Sequence, residues 1–358
     1  MRLQLIAAVC GVCVVCVARV AAADGNATAM LRVYADDDHM TVVSPSANAS
    51  FDAGPRLQLV TAVAADAVTG ASVDVVTSAS PATIHERRVE GTVDATAAVT
   101  RIASAGARVI VSHENDYDSL HAAVHGAIEL AKRNTTLAGT YDEGFEAAGS
   151  VVDPGFHDHR RTHRAVGTLT QILDRQTYLD LVLDLSLTHG YQASPYRSIV
   201  IEDPASSAIL RVSEVTPRTR EAAAASARIR RAIGDRWAIH ASYRFYLDDW
   251  ELRSHTASVD VLTERPGGTR LAAGLRAYVQ DAAFFYRESY TGAVPALRTH
   301  DRTLGAMASA AIHATVDHPL GEVRLVADLG VMRMWFFDFA PQRERTAVTL
   351  SLGSSWPF

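Results

Sequence analysis

The densest group of potential metal ligands lies near the middle of the chain. His157, Asp158 and His159 are consecutive, and His163 follows four residues later. In an extended segment the three histidines share one face, because neighbouring side chains point to opposite sides. Imidazole and carboxylate groups bind zinc or copper, so one interpretation is a metal site. The alternative is a hydrated loop in which these polar side chains bind nothing.

A second acidic group consists of Asp36, Asp37 and Asp38, which are also consecutive. Clustered carboxylates are the ligands that calcium prefers. Aspartate is equally common in hydrated turns, because its side chain hydrogen-bonds to nearby backbone. The residue types alone support both interpretations.

Long strands with one apolar face must position these side chains. From Tyr178 to Thr188 every odd position is leucine, whereas the even positions include Asp180 and Asp184. A period of two is typical of a β-strand, since a helix would distribute the leucines around its circumference. The same alternation recurs from Leu120 to Leu130, from Trp237 to Phe245, from Leu271 to Val279 and from Val323 to Val331.

These segments exceed the about 5–6 residues usual in soluble strands and reach the about 9–11 that a tilted membrane strand needs. The sequence therefore predicts an all-β protein: a single transmembrane antiparallel up-and-down β-barrel of about 16 strands, with about 14 as the alternative. A soluble β-sandwich or β-helix is the less favoured interpretation. The predicted strands are 30–35, 39–51, 56–67, 84–99, 107–114, 118–131, 135–146, 161–173, 177–190, 219–233, 236–248, 251–264, 269–285, 303–316, 322–338 and 345–358.

Connections between these strands are alternately short and long, as periplasmic turns and extracellular loops are. The long segments 68–83 and 191–219 could fold into the barrel. Aromatic side chains lie near strand ends on the side of the long loops and predict one aromatic girdle. They are Tyr243, Phe245, Tyr246 and Trp250, then Phe284, Phe285 and Tyr286, then Trp335, Phe336, Phe337 and Phe339.

The first 23 residues predict an export signal. Arg2 precedes an apolar run from Leu3 to Ala18, and Ala21–Ala23 fits a cleavage site. We expect a signal peptide over 1–23 and the barrel over 24–358. All three cysteines lie within the signal, so the exported chain has no thiol.

The expected location is the bacterial outer membrane. Trp356 and Phe358 end a final amphipathic strand, which is the type of signal that the barrel-assembly machinery reads. The expected partners are outer-membrane lipid, that machinery and small solutes. Nucleic acid is not among them, because the net charge is −6 and no basic block occurs.

The polar faces of the strands are the candidate functional surface. We predict that the following residues face the lumen: His121, His125, Asp180, Asp184, Arg228, Arg230, His240, Arg244, Asp260, Arg276 and Asp328. Such a face fits a channel or uptake protein for small solutes. Opposed charges could instead neutralise one another and stiffen the wall of a structural or binding barrel that docks a periplasmic or surface partner.

No enzymatic activity and no cofactor are expected. Serine, histidine and aspartate are abundant, so a barrel-embedded hydrolase is a minor alternative, but no spacing singles out a triad.

Several segments resemble one bacterial family. They are Asp36–Asp38 before Val42–Ser46, Asp66–Pro81, Gly190–Arg197, and Tyr243–Tyr246 with Asp249–Trp250. These segments resemble the outer-membrane proteins grouped as domain of unknown function 3570. The resemblance extends over nearly the whole exported chain and is most specific at Asp66–Pro81. The resemblance implies an outer-membrane β-barrel of Gram-negative bacteria and implies no activity.

Overall fold

The computed structural model describes residues 24–69, 85–202 and 209–358. The predicted signal peptide and most of the segment 68–83 lie outside these residues. Sixteen antiparallel strands of the described chain close into one barrel, which confirms the predicted fold class. The first strand hydrogen-bonds to the second and to the last, so the sheet has no free edge.

Strand β1 starts earlier than predicted and is as long as its neighbours. The barrel strands are β1 (Gly25–Asp36), β2 (Thr41–Asp52), β3 (Leu57–Thr69), β4 (His85–Ala98), β5 (Ala103–His113), β6 (Tyr117–Leu130), β7 (Thr135–Ala148), β8 (Asp158–Ile172), β9 (Thr177–Gly190), β12 (Thr219–Ile233), β13 (Trp237–Asp248), β14 (Arg253–Glu264), β15 (Arg270–Gln280), β17 (Met307–Leu320), β18 (Val323–Phe336) and β19 (Glu344–Pro357). Three short strands lie in loops: β10 (Ser198–Glu202), β11 (Ile209–Ser213) and β16 (Tyr290–Thr291).

The two faces of the wall differ as the alternation predicts. Leu181, Leu183 and Leu185 of β9 are exposed on the outer surface. The register places Asp180 opposite Arg228 and Asp184 opposite Ala224, on the other face. An apolar exterior and a polar interior are the arrangement of membrane barrels.

At one end of the barrel short turns connect neighbouring strands, and the long loops lie at the other end. None of the helices in the described residues is long and apolar enough to cross a membrane.

Two long loops cover the open end. We call residues 191–202, 209–218 and 281–306 the loop layer. Within it β10 pairs with β11 and, in parallel, with β16, so the loop after β9 is joined to the loop after β15.

The loop layer crosses the mouth of the barrel. Tyr196 donates a hydrogen bond to Asp116 in the β5–β6 turn, and Arg302 contacts Asp38 in the β1–β2 turn. These two turns and the roots of the two loops are spaced four strands apart around the ring of sixteen. Contacts at four such points require the described parts of the layer to span the opening. That 191–219 folds into the barrel stays a prediction.

Several aromatic residues expected in an outer girdle are instead buried, either within this layer or against it. Trp250 and Phe285 form one buried cluster with their rings edge to face, and Phe336 and Phe339 belong to another. The prediction of a girdle is therefore wrong for these residues, because loops cover the strand ends and bury them. Tyr243, Phe284 and Phe337 remain exposed.

Candidate functional site in the barrel interior

The register places the predicted lumen residues on the strand face opposite the exposed aliphatic side chains. Arg230 lies opposite His240, and His240 lies opposite Asp260, so adjacent strands bring these three together. Each has the parity opposite to that of the exposed aliphatic side chains of its strand. The same relation holds for His121, His125, Asp180, Asp184, Arg228, Arg244, Arg276 and Asp328. Their role in passage of a solute stays a prediction.

Many inner charges are paired across neighbouring strands. Arg164 holds both carboxylate oxygens of Asp184 at 2.8 Å, and Arg244 lies 3.9 Å from the same carboxylate. Asp328 accepts a hydrogen bond from Thr315 at 2.7 Å, and Asp180 accepts one from Thr170 at 2.7 Å. These contacts link side chains of neighbouring strands, and stiffening of the wall by them stays a prediction.

Three inner histidines follow one geometric rule. His121 is opposite Gly144, His125 is opposite Gly106 and His313 is opposite Gly274. A Cβ atom at any of these glycines would overlap the imidazole ring, so each ring occupies the space that a side chain at its glycine would fill. The absence of a side chain at the opposite position is therefore what admits the ring.

Each of these rings also meets a carboxylate. The distances are 2.9 Å from His121 to Asp142, 3.3 Å from His125 to Asp94 and 3.1 Å from His313 to Asp260. Asp94, Asp142, Arg164 and His313 are absent from the predicted set. Their parity within the strands could have identified them, since each lies on the polar face.

Other inner cations have no carboxylate partner in the described part of the chain. Arg228, Arg230 and Arg276 have no carboxylate oxygen within ion-pair distance, although Arg230 contacts the ring of Tyr178 and Arg276 that of Tyr278. Arg228 and Arg276 are exposed although they face inward. Exposure on an inner face requires open space inside the barrel. The interior thus combines a paired wall with unneutralised arginines on β12 and β15.

The predicted metal ligands do not converge. His159 and His163 lie on the outer face of β8, about 13 Å apart at the usual rise of a strand. His163 bonds to the hydroxyl of Tyr141 at 2.8 Å, while both carboxylate oxygens of Asp158 bind Arg218. In the described ranges no three His, Cys, Asp or Glu side chains lie close enough to hold a metal ion. A metal at His157, Asp158, His159 and His163 stays a prediction that this geometry does not favour.

The three aspartates of the β1–β2 turn serve separate contacts. Asp36 accepts hydrogen bonds from the Tyr34 hydroxyl and from two backbone amides, and Asp37 accepts one from the Thr346 amide. Asp38 is paired with Arg302. Because the carboxylates are directed to different donors, they anchor the turn and form no calcium site.

A closed barrel with an aliphatic exterior, a charged interior and loops over one mouth defines an outer-membrane-type β-barrel. The model of the family "Protein of unknown function (DUF3570)" matches residues 139–328. The chain belongs to this family, as the resemblance implied. The matched range does not include Asp66–Pro81, the segment in which the resemblance is most specific.

Solved structures share the fold at very low sequence identity. CdiB from Acinetobacter baumannii is 7% identical with a TM-score of 0.56, and the match covers 93% of this chain and 60% of that one. A bacterial polysaccharide outer membrane secretin is 7% identical with a TM-score of 0.54, covering 93% and 98%.

The siderophore receptor PirA from Pseudomonas aeruginosa is 10% identical with a TM-score of 0.47, covering 87% of this chain. The present chain spans 56% of the length of that receptor. No curated protein sequence matches the chain. The likenesses to CdiB and to the polysaccharide secretin support the fold alone and assign no substrate.

Proposed function

We propose that the chain is a channel for small solutes in the bacterial outer membrane. The observation that carries this proposal is the exposure of Arg228 and Arg276 on the inner face. A barrel of about 16 strands leaves room for an aqueous interior unless loops fill it. Arginines exposed there present charge to a solute that crosses the membrane, and ion-selective pores use such charges.

The proposal includes a route and partners. The chain is exported by its signal peptide, inserted by the barrel-assembly machinery through its last strand, and surrounded by outer-membrane lipid. A solute enters past the loop layer and moves along the arginines of β12 and β15. No catalytic step is part of the proposal, and the hydrolase alternative stays a prediction.

A second function is favoured by one observation. The loop layer crosses the mouth and is anchored by the buried pair of Arg302 and Asp38. A barrel whose mouth is permanently covered would serve as a structural or binding protein that presents its loops to a surface partner. The two functions differ in whether ions pass.

Conductance of the purified protein in planar lipid bilayers decides between them. The channel function predicts stepwise currents proportional to salt concentration, and larger or more frequent currents when Asp38→Asn with Arg302→Met releases the anchor. A folded barrel that passes no current, both with and without the anchor, would contradict the channel function and support the binding function.

A further inference from the structure

A cavity of about 320 Å³ lies between the inner wall and the loop layer. Tyr34, Asp36 and Arg345 line it from the wall, and Arg197, Asp301 and Thr303 line it from the loops. One water occupies about 30 Å³ in the liquid, so the cavity exceeds the space needed by a single bridging water. It can hold a small organic molecule.

The carboxylates of the cavity are already occupied by protein donors. Asp36 accepts from the Tyr34 hydroxyl at 2.7 Å and from the amides of Asp38 and Met40 at 3.1 and 3.0 Å. The same is true on the loop side. Asp301 accepts from the amide and hydroxyl of Thr303 at 2.9 and 2.6 Å and lies 2.9 Å from Arg197. Neither carboxylate therefore needs a further donor from a ligand.

The guanidinium of Arg345, unlike these carboxylates, has N–H groups without a good hydrogen-bond partner. Its Nε atom is buried and has no acceptor among the described residues. Its Nη1 atom lies 3.6 Å from the nearest carboxylate oxygen, on Asp36, which is beyond hydrogen-bond length. Its Nη2 atom contacts the sulfur of Met334 at 3.2 Å, and a thioether is a weak acceptor. The Arg345 side chain is 17% exposed.

The groups of the cavity that can still form hydrogen bonds are therefore the N–H donors of Arg345. Buried polar groups are nearly always paired, so a matching molecule must supply acceptors. Arginine presents parallel N–H groups that fit the two oxygens of a carboxylate or a phosphate. Three guanidinium groups, those of Arg197, Arg302 and Arg345, line the cavity against the two carboxylates of Asp36 and Asp301.

We infer that this cavity is a binding site for a small oxyanion, with Arg345 as its principal contact. The site deepens the proposed channel function and rests on it in one respect: if solutes pass, the site lies at the entrance and favours anionic ones. Binding itself does not depend on passage.

Calorimetric titration of the purified protein in detergent micelles tests the site. The three probes are acetate, succinate and inorganic phosphate. They distinguish a site for one carboxylate from a site for two carboxylates and from a site for phosphate. Arg345→Met removes the donors, and Arg343→Met is the matched control, because Arg343 is 66% exposed and lies 3.9 Å from Glu288. A heat-dependent shift in migration on gels verifies that each variant is folded.

Saturable binding of at least one probe is expected for the natural chain and for Arg343→Met, and at least about tenfold weaker binding for Arg345→Met. Arg345→Lys keeps the positive charge but lacks the parallel N–H groups of a guanidinium. This variant replaces Arg345→Met in the test if the methionine variant does not fold, and it should also bind the probes more weakly. Equal affinity in the natural chain and the Arg345 variants, or no binding of any probe, would overturn the inference.

The outcomes for binding and for passage are separable. Binding without conductance would reject the channel and retain the site. Conductance without binding would reject the site and retain the channel.

Discussion

Arg302 of the loop layer and Asp38 of the β1–β2 turn form an ion pair at 2.5 Å that is closed to solvent, with side-chain exposures of 2% and 0%. The guanidinium also packs against the rings of Phe336 and Phe339. The pair joins residues 264 positions apart in sequence. It attaches the loops to the wall at one point of the mouth.

Replacing one member of this pair should loosen the loop layer and leave the barrel intact. Arg302→Met removes a buried partner of the Asp38 carboxylate, and breaking such a buried ion pair costs about 3–5 kcal/mol. We expect rapid proteolysis within 281–306, measured by mass spectrometry of the fragments, while the strands remain protected. Arg287→Met is the control, because Arg287 is exposed in the same loop. Unchanged cleavage in both variants would show that the pair is not an anchor.

The loop layer should be more stable at acidic than at basic pH. Burial raises the pKa of the Glu214 carboxyl above its ordinary value of 4.5, and the neighbouring Arg197 offsets only part of this effect. Burial also raises the pKa of Asp116, the acceptor of the Tyr196 hydroxyl. Because the folded loops bind these protons more tightly than unfolded loops do, this contribution is complete below pH 4.5 and is lost as the pH rises through the raised pKa.

Protease protection of the loops, measured from pH 4 to pH 8 with an enzyme active over that range, tests this dependence. Protection should fall as the pH rises, and Glu214→Gln should reduce the slope. Glu202→Gln is the control, because Glu202 is exposed on β10. Protection that increases with pH would contradict the assignment.

A side chain at Gly274 should destabilise the barrel. Its Cβ atom would overlap the ring of His313 and the carboxylate of Asp260. We expect Gly274→Ala to cost about 1–3 kcal/mol, as overpacking does, in urea unfolding from micelles. Gly91→Ala should be nearly neutral, because nothing lies within 4 Å of the added atom. Equal stability of the two variants would mean that the histidine rings are not held over their glycines.

The arginines without carboxylate partners should set ion selectivity. Arg228→Ser combined with Arg276→Ser removes two positive charges from the inner face, so the reversal potential in a salt gradient should shift toward cations. Arg333→Ser is the control, since Arg333 pairs with Glu344 on the outer face of the barrel. A selectivity that is the same in both variants would exclude these arginines from the path of the ions.

The wall of the barrel could be predicted closely from the sequence. The alternation of leucine and aspartate predicted a strand over 177–190, and β9 runs from Thr177 to Gly190. The even or odd position of a residue also separated the polar from the aliphatic face of each strand, because the side chains of a strand alternate strictly. Local pattern is sufficient where one face meets a uniform apolar environment.

The loop layer could not be predicted in this way. Strand β10 is short, and its partner β16 lies in a different loop, so their pairing has no local signal. The aromatic side chains show the same limit. Trp250 would lie at a strand end whether it belonged to an outer girdle or to a buried cluster. Only the covering loop decides whether it faces lipid or is buried. The cavity at Arg345 likewise depends on contacts between distant segments.

We infer that β9 presents its leucines to lipid and its aspartates to water inside the barrel. All three cysteines lie within residues 1–23 and residues 24–358 contain none, so single cysteines can be placed at 180–185 one at a time. Labelling with a membrane-impermeant maleimide in reconstituted vesicles is the most direct measurement. Reaction is expected at 180, 182 and 184, and protection is expected at 181, 183 and 185. Reaction at the odd positions, or no alternation with a period of two, would contradict this inference.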